Sequence, residues 1–367
     1  MESYHAVARA LGVMTMLFVP PPGSGGVPEP RDWQDERDFL LADLRDVILP
    51  AAGLSGPVYA RHLDEGGPNF PRLQQAAKAL IRAYQASQYN MVSQMAPGML
   101  RSAHFHVDTT AGIARREAVL LRGDLLGVIA AYLIQIREHE LAVVALHSAL
   151  KDATEASNRP LAVSCIDRQA WAITCQKRLT YAENICVDVA DDIEPKLSVS
   201  DPEEIAAWGR ILMRASSAAA RNNRSQEARE YLEAAAAAAN RLGREHEDLA
   251  GHRAFGPLSV ALRFPENDLV AGKPAEALRS IADLPTSAGK VTPTAWWRHM
   301  LDRALALAMT GKGSEALGVL HGVRTEAPEW LRQQRMAQDI VRDVVESGTI
   351  VPSAADKGLA TFMGIGI

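Results

Sequence analysis

Apolar residues recur at three- and four-residue spacing along almost the whole chain beyond residue 30, as amphipathic helices require. The segments 39–48 and 73–84 are clear examples. Runs that alternate apolar and polar residues, as half-buried strands do, are nearly absent. The pattern therefore predicts an all-α protein.

Helix-breaking residues interrupt this pattern at intervals that suit paired helices. The predicted breaks lie at 66–68, 158–160, 201–202, 265–268, 285–293 and 328. Asp201 followed by Pro202 predicts a helix start, because an aspartate caps free N–H groups and proline is tolerated in a first turn.

A repeat is the most specific signal in the chain. Residues 272–278 and 311–317 share the pattern Gly-Lys-x-x-Glu-Ala-Leu, and looser copies lie upstream. The repeat alanines are Ala142, Ala182, Ala228, Ala277 and Ala316, spaced by 40, 46, 49 and 39 residues. Trp208 and Trp296 each precede a repeat alanine by 20 residues. We interpret each copy as a turn followed by a helix whose alanine allows close helix crossing.

This pattern resembles the tetratricopeptide repeat, whose Gly-x-x-x-Glu-Ala turn matches residues 311–317 best. The resemblance covers residues 113–330 well and residues 70–105 poorly. It implies a right-handed, tetratricopeptide-like superhelix of helical hairpins. The spacing of 39 to 49 residues exceeds the usual length of about 34, so the resemblance also implies longer helices or inserted turns.

Residues 4–18 resemble the closing helix of a lambda-repressor-like, XRE-type helix-turn-helix domain, with Ala8 to Val13 followed by a Leu-Phe pair. A linker and degenerate helical repeats follow, as in actinobacterial XRE-type regulators and the peptide-pheromone receptors of Gram-positive bacteria. The DNA-reading helices would precede Met1, so this resemblance implies DNA binding only with an upstream helix-turn-helix. Two alternatives stay open for residues 4–18: an amphipathic helix docked on the array, or a signal sequence.

These observations divide the chain into five segments. Residues 1–19 are the helix-turn-helix remnant or docking helix, and residues 20–30 are a linker rich in Pro and Gly. A helical region with a degenerate repeat follows at 31–112, then the tetratricopeptide-like array at 113–345, and a C-terminal tail at 346–367.

Charge and composition narrow the function classes. The 39 basic and 44 acidic residues give a net charge of −5, which argues against bulk nucleic-acid binding. Three cysteines, Cys165, Cys175 and Cys186, have no metal-ligand spacing and indicate a reducing compartment. No apolar run is long enough to cross a bilayer, so we expect a cytoplasmic protein without membrane partners.

Candidate catalytic motifs have simpler explanations. The Gly-Lys pairs at 272–273 and 311–312 lack the earlier glycine of a phosphate-binding loop. The acidic cluster at 188–192 resembles the magnesium-binding aspartates of terpene cyclases, but few aromatic residues accompany it. His104 and His106 could bind a metal only if they pointed the same way, and on a helix they would point apart. We place Cys175 and Cys186 in the helical core. The sequence thus predicts no enzyme, cofactor or metal.

Binding is the function that the repeat register favours. Counting back from the repeat alanines places a set of first-helix residues on the concave face of a superhelix: Gln85, Gln135, Asp167, Trp171, Arg210, Ser217, Arg221 and Arg298, with Asp124 at the rim. Amide, aromatic and arginine side chains together suit the capture of a peptide. The competing interpretation is that the tryptophans fill the core and the arginines pair with neighbouring acids.

The sequence therefore predicts the sensing and oligomerisation region of a bacterial transcriptional regulator, a homodimer that binds a peptide or small-molecule effector. The alternative is a tetratricopeptide-like scaffold for protein–protein interaction that senses no ligand.

Overall fold

The computed structural model describes residues 33–53, 56–57, 69–196, 198–247, 254–285, 287, 289, 291–347 and 350–366. The predicted segments 1–19 and 20–30 and the predicted break at 66–68 lie outside the described residues. Helices make up 79% of the described residues. The prediction of an all-α protein is confirmed for this part of the chain.

The chain divides into two units, Met1–Ala42 and Asp43–Ile367. The described residues of the first unit belong to helix α1 (Trp33–Ile48), which continues into the second. The second unit contains the following helices: α2 (Phe70–Gln85), α3 (Tyr89–Thr109), α4 (Gly112–Gln135), α5 (His139–Glu155), α6 (Arg159–Cys175), α7 (Leu179–Ile193), α8 (Pro202–Arg221), α9 (Ser225–Leu242), α10 (Pro257–Ala261), α11 (Phe264–Val270), α12 (Pro274–Ala282), α13 (Pro293–Met309), α14 (Gly313–Glu326), α15 (Pro328–Arg332), α16 (Arg335–Glu346) and α17 (Ala354–Phe362).

Two short strand pairs accompany the helices. Strand β1 (Ala52–Gly53) pairs antiparallel with β2 (Gly56–Pro57). Strand β3 (His246–Glu247) pairs antiparallel with β4 (Ala254–Phe255), with His246 opposite Phe255.

The helices pack as successive hairpins. Helices α2 and α3, α4 and α5, α6 and α7, α8 and α9, α11 and α12, and α13 and α14 form antiparallel pairs joined by short turns. The first helices of these hairpins also pack side by side, in the order α2, α4, α6, α8, α11 and α13, and α16 packs next to α13. Side chains on these neighbouring first helices can therefore meet across hairpin boundaries.

Each repeat turn uses the same backbone geometry. Residues with left-handed φ stand five positions before the repeat alanines: Arg137, Lys177, Asn223, Gly272 and Gly311. The N–H of each donates to the carbonyl three residues earlier, and the next N–H reaches back five residues. This is the hydrogen-bond pattern of a Schellman turn, which satisfies the last carbonyls of the first helix.

The repeat alanines occupy equivalent places in the hairpins. Ala142, Ala182, Ala228, Ala277 and Ala316 are each the fourth residue of a second helix, and each has an exposed fraction of 0%. A side chain larger than a methyl group has no free space there.

The structure agrees with the predicted helix start at Asp201 but not with the predicted break at 265–268. Asp201 caps α8 and forms a capping box with Glu204, as the sequence predicts. The predicted break at 265–268 is wrong, because these residues lie inside α11. Pro265 is in the first turn of that helix, where a proline displaces no helical hydrogen bond.

An inserted segment explains the widest repeat spacing. Strands β3 and β4 and helix α10 lie between the hairpin of Ala228 and that of Ala277. Phe255 from this segment is fully buried in the core cluster that contains Ile205 and Ile211 of α8. Its ring fills space next to Gly209, where an added Cβ atom would lie 1.9 Å from the ring. The insertion is thus part of the core.

Candidate ligand-binding face

The predicted site residues lie on five helices. Gln85 ends α2, Gln135 ends α4 and Asp124 is inside α4, while Asp167 and Trp171 are on α6, Arg210, Ser217 and Arg221 on α8, and Arg298 on α13. All five are first helices of hairpins, which pack next to one another or are bridged by α11. We call the surface formed by the side chains of Gln135, Asp167, Trp171, Arg214, Ser217, Arg221, Glu266, Arg298 and Asp302 the first-helix face.

Helix α8 carries a polar stripe, and Arg214, Ser217 and Arg221 of this stripe belong to the first-helix face. Arg210, Arg214, Ser217 and Arg221 follow one another at spacings of four, three and four residues, so they share one side of the helix. Arg221 donates to the Oγ of Ser217 at 2.7 Å, which fixes the last turn of the stripe.

The α6 residues contact the middle of this stripe. The Nε of Arg214 donates to the Oδ1 of Asp167 at 2.9 Å, and the Arg214 guanidinium lies 5.5 Å from the centre of the Trp171 ring. Asp167 is 8% exposed and the side chain of Arg214 is 20% exposed, so the acid is the more buried partner of the pair. Burial lowers the pKa of Arg214, but the Asp167 carboxylate outweighs burial and raises it overall.

Glu266 joins α8, α11 and α13. Arg221 donates to its Oε1 at 2.5 Å, and Arg263 donates to its Oε2 at 2.8 Å. Arg298 lies 3.6 Å from the same Oε1 and 3.2 Å from the Oδ1 of Asp302, one turn further along α13. Three guanidiniums thus converge on one carboxylate that is 3% exposed.

The pKa values of the two buried acids, Glu266 and Asp302, are shifted in opposite directions. Burial alone would raise the pKa of Glu266, but Arg221, Arg263 and Arg298 together hold it well below its usual range. Burial raises the pKa of Asp302 to about 6, since Arg298 offsets only part of the desolvation and Glu266 adds repulsion. Glu266 is therefore the permanent anion of the centre.

Arg210 and Arg298 stand apart, although their sequence positions are equivalent. Arg210 pairs with Glu203 at 3.1 Å, and His246 contacts the other oxygen of Glu203 at 2.9 Å. Arg298 instead shares Glu266 with Arg221. The side chain of Arg210 is 8% exposed and that of Arg298 is 27% exposed, and both pair with acids, as the competing interpretation expects.

The predicted residues Gln85 and Gln135 lie on α2 and α4, the first two helices in the series of first helices. Gln135 accepts a hydrogen bond from Gln334 at 3.2 Å and also bonds to the Tyr84 hydroxyl. Gln85 is partly buried at the end of α2, and Asp124 is partly exposed in α4. The described contacts do not bring these residues to the Glu266 centre.

Cys175 departs from its predicted place in the core. Cys186 is fully buried in an apolar cluster, as expected, whereas Cys175 is only partly buried at the end of α6. Burial raises the pKa of the Cys175 thiol. The strongest charge effects on it all lower that pKa, and they come from Arg214, Arg221, Arg298 and Lys177. Cys175 lies one helical turn beyond Trp171, so it shares the side of α6 that contacts Arg214.

Sequence reasoning missed Arg214, Arg263, Glu266, Asp302 and Cys175. The helical spacing could have identified Arg214 between Arg210 and Ser217, and Asp302 one turn beyond Arg298. Glu266 was hidden because its segment is predicted as a break.

Comparisons with known proteins identify no family for this arrangement. No protein-family model matches the chain, and no curated protein matches it either. In the part of the chain that the structure describes, no group of three or more His, Cys, Asp or Glu side chains could hold a metal ion. No helix within the described ranges has the length and apolar character needed to cross a membrane.

Proposed function

We propose that this chain is the effector-sensing and oligomerisation region of a bacterial XRE-type transcriptional regulator. In this proposal its hairpins form a tetratricopeptide-like, right-handed superhelix, and a peptide or small molecule binds the concave side. The first-helix face lies on that side.

The repeated hairpin geometry supports the proposed architecture. Five equivalent left-handed turns are each followed by a fully buried alanine at the fourth position of the next helix. A stack of such hairpins exposes its first helices along one surface, which is the surface that repeat proteins use for binding.

One observation carries the proposed binding role: charged side chains of successive hairpins are linked on the first-helix face. Asp167 of α6 pairs with Arg214 of α8, and Arg221 of α8 pairs with Glu266 of α11. Desolvating ion pairs offers little net stability, and apolar residues would hold the helices together at least as well. A polar face with an adjacent aromatic ring, Trp171, is better explained by ligand recognition.

The test is a search for a ligand followed by a matched pair of variants. Native mass spectrometry and thermal-shift screening of peptides and metabolites would identify candidates, which calorimetry would then titrate. Trp171→Ala should weaken binding at least about tenfold, because an aromatic anchor that the ligand covers is worth more than about 1.4 kcal/mol. Tyr181→Ala removes a 51% exposed aromatic of a second helix and should leave binding unchanged.

Equal effects of the two variants, or failure of every candidate to saturate the protein, would favour the protein–protein scaffold. Light scattering with and without ligand would test the proposed homodimer, whose dissociation or formation should depend on the effector.

A further inference from the structure

Four arginines, Arg214, Arg221, Arg263 and Arg298, form a cluster at the junction of α6, α8, α11 and α13. They contact three carboxylates, those of Asp167, Glu266 and Asp302. Among the described residues of this junction, cations therefore outnumber anions even when all three acids are ionised.

The pairing within the arginine cluster is uneven. Both oxygens of Glu266 accept hydrogen bonds, one from Arg221 and one from Arg263. Arg298 stays 3.6 Å from that carboxylate and 3.2 Å from the Oδ1 of Asp302, and its buried Nε has no hydrogen-bond partner among the described residues. Guanidinium groups satisfy their donors best with planar oxyanions that accept two hydrogen bonds. Arg298 therefore has capacity for a further acceptor.

The cluster is also reachable from the surface. The side chains of Arg214, Arg221 and Arg298 are 20%, 26% and 27% exposed, while those of Glu266 and Asp302 are 4% and 2% exposed. The acids are thus the inner layer and the cations the outer layer. The partly buried Cys175 lies one turn beyond Trp171, on the side of α6 that contacts Arg214.

We propose that the arginine cluster is an oxyanion-binding site, in which Arg221 and Arg298 hold a carboxylate or phosphate group of the ligand next to Cys175. The Glu266 carboxylate competes with the ligand, because the ligand oxyanion would bind the same guanidinium groups. The site deepens the proposed function by naming the ligand's chemistry. Its test uses simple anions on the purified chain, so its failure is distinguishable from failure of the sensor proposal.

Alkylation of Cys175 provides the assay, because the other two cysteines, Cys165 and Cys186, are 1% and 0% exposed and should not react in the folded protein. The folded protein is alkylated with iodoacetate or with neutral iodoacetamide, and peptide mass spectrometry follows Cys175. In both reactions the thiolate displaces iodide and forms a thioether. An oxyanion site should raise the rate ratio of iodoacetate to iodoacetamide about tenfold above the ratio in the urea-unfolded chain.

A charge-neutral replacement tests the residues. Arg298→Gln with Asp302→Asn keeps an amide pair in place of the ion pair and leaves Glu266 bonded to Arg221 and Arg263. The rate ratio should fall at least about threefold in this variant. The matched control is Arg335→Gln with Asp339→Asn, which removes an exposed pair at the same i,i+4 spacing on α16 and should keep the wild-type ratio.

Competition distinguishes the two kinds of oxyanion. Citrate or inorganic phosphate should slow alkylation of Cys175 by iodoacetamide saturably, whereas sodium chloride at equal ionic strength should not. Stronger protection by citrate identifies a carboxylate site, and stronger protection by phosphate identifies a phosphate site. A rate ratio equal to that of the unfolded chain, equal protection by chloride, or complete failure of Cys175 to react with iodoacetate would overturn the proposal.

Discussion

The close approach of Phe255 to α8 gives the sharpest stability prediction. Gly209 lies inside α8, where alanine is ordinarily the better helix former by about 1 kcal/mol. Here an added Cβ would lie 1.9 Å from the Cζ of Phe255 and 2.4 Å from its Cε2. Phe255 is fully buried, so the ring cannot move without disturbing the core. Gly209→Ala should therefore destabilise the protein.

The magnitude follows from two limits. Ordinary carbon contacts are about 3.5–4.0 Å, so the ring must retreat by more than an ångström, an overpacking that costs about 1–3 kcal/mol. The cost cannot exceed the loss of the whole ring from the core, about 3–5 kcal/mol. With about 2 kcal/mol as the lower limit and about 4 kcal/mol as the upper limit, less about 1 kcal/mol gained in helix propensity, we expect a net loss of about 1–3 kcal/mol.

Urea denaturation followed by helical circular dichroism measures this loss, and a double variant isolates its cause. In the Phe255→Ala background the added methyl group meets no ring, so Gly209→Ala should cost little there. Gly318→Ala is the matched control, because a Cβ at Gly318 in α14 meets nothing within 4 Å and should stabilise the helix. If Gly209→Ala matches Gly318→Ala, or if its cost persists without Phe255, the packing argument is wrong.

Three further predictions follow from the repeat and the buried acids. Ala277→Leu and Ala316→Leu should each lower stability by about 1–3 kcal/mol through overpacking, and unchanged melting temperatures would contradict the proposed helix crossings. Lys177 has a left-handed φ of 66°, which glycine adopts more easily than residues with a Cβ atom. Lys177→Gly should therefore raise stability by roughly 0.5–1 kcal/mol, whereas the β-branched Lys177→Val should lower it. Urea midpoints that rank the two variants the other way would refute this. The pKa of Asp302 is raised from 3.8 to about 6 in the folded state, so its protonation favours folding at low pH and this contribution is lost as pH rises through about 6. Wild type should thus lose more stability than Asp302→Asn as the pH rises from about 4 to about 6, and parallel urea midpoints for the two proteins would argue against the shift.

The fold was predictable where local signals agree. Helical periodicity predicted the all-α class, and the chemistry of Asp201 predicted the start of α8. The Gly-Lys turns predicted the places where second helices begin. Arg137 and Lys177 adopt the same left-handed φ without a glycine, so propensity alone would have missed their turns.

The candidate site was predictable only in part, because its partners come from other hairpins. Asp167 and Arg214 are 47 residues apart, and Arg221 and Glu266 are 45 residues apart. Periodicity places each residue on a face of its own helix, but it does not specify which charges meet across helices. The predicted break at 265–268 then removed Glu266 from consideration, since the tolerance of proline in a first turn was overlooked.

The ion pairs of the first-helix face connect successive hairpins. Asp167 and Arg214 link α6 to α8, Arg221 and Glu266 link α8 to α11, and Arg298 reaches Glu266 from α13. In a stacked array each hairpin contacts chiefly its neighbours, so the angle between hairpins depends on such links. A ligand oxyanion that takes Arg298 from Glu266 would weaken the link between α11 and α13 without opening the apolar core. Because a ligand shifts a conformational equilibrium only by its differential affinity, this exchange of guanidinium partners is where a binding signal would originate.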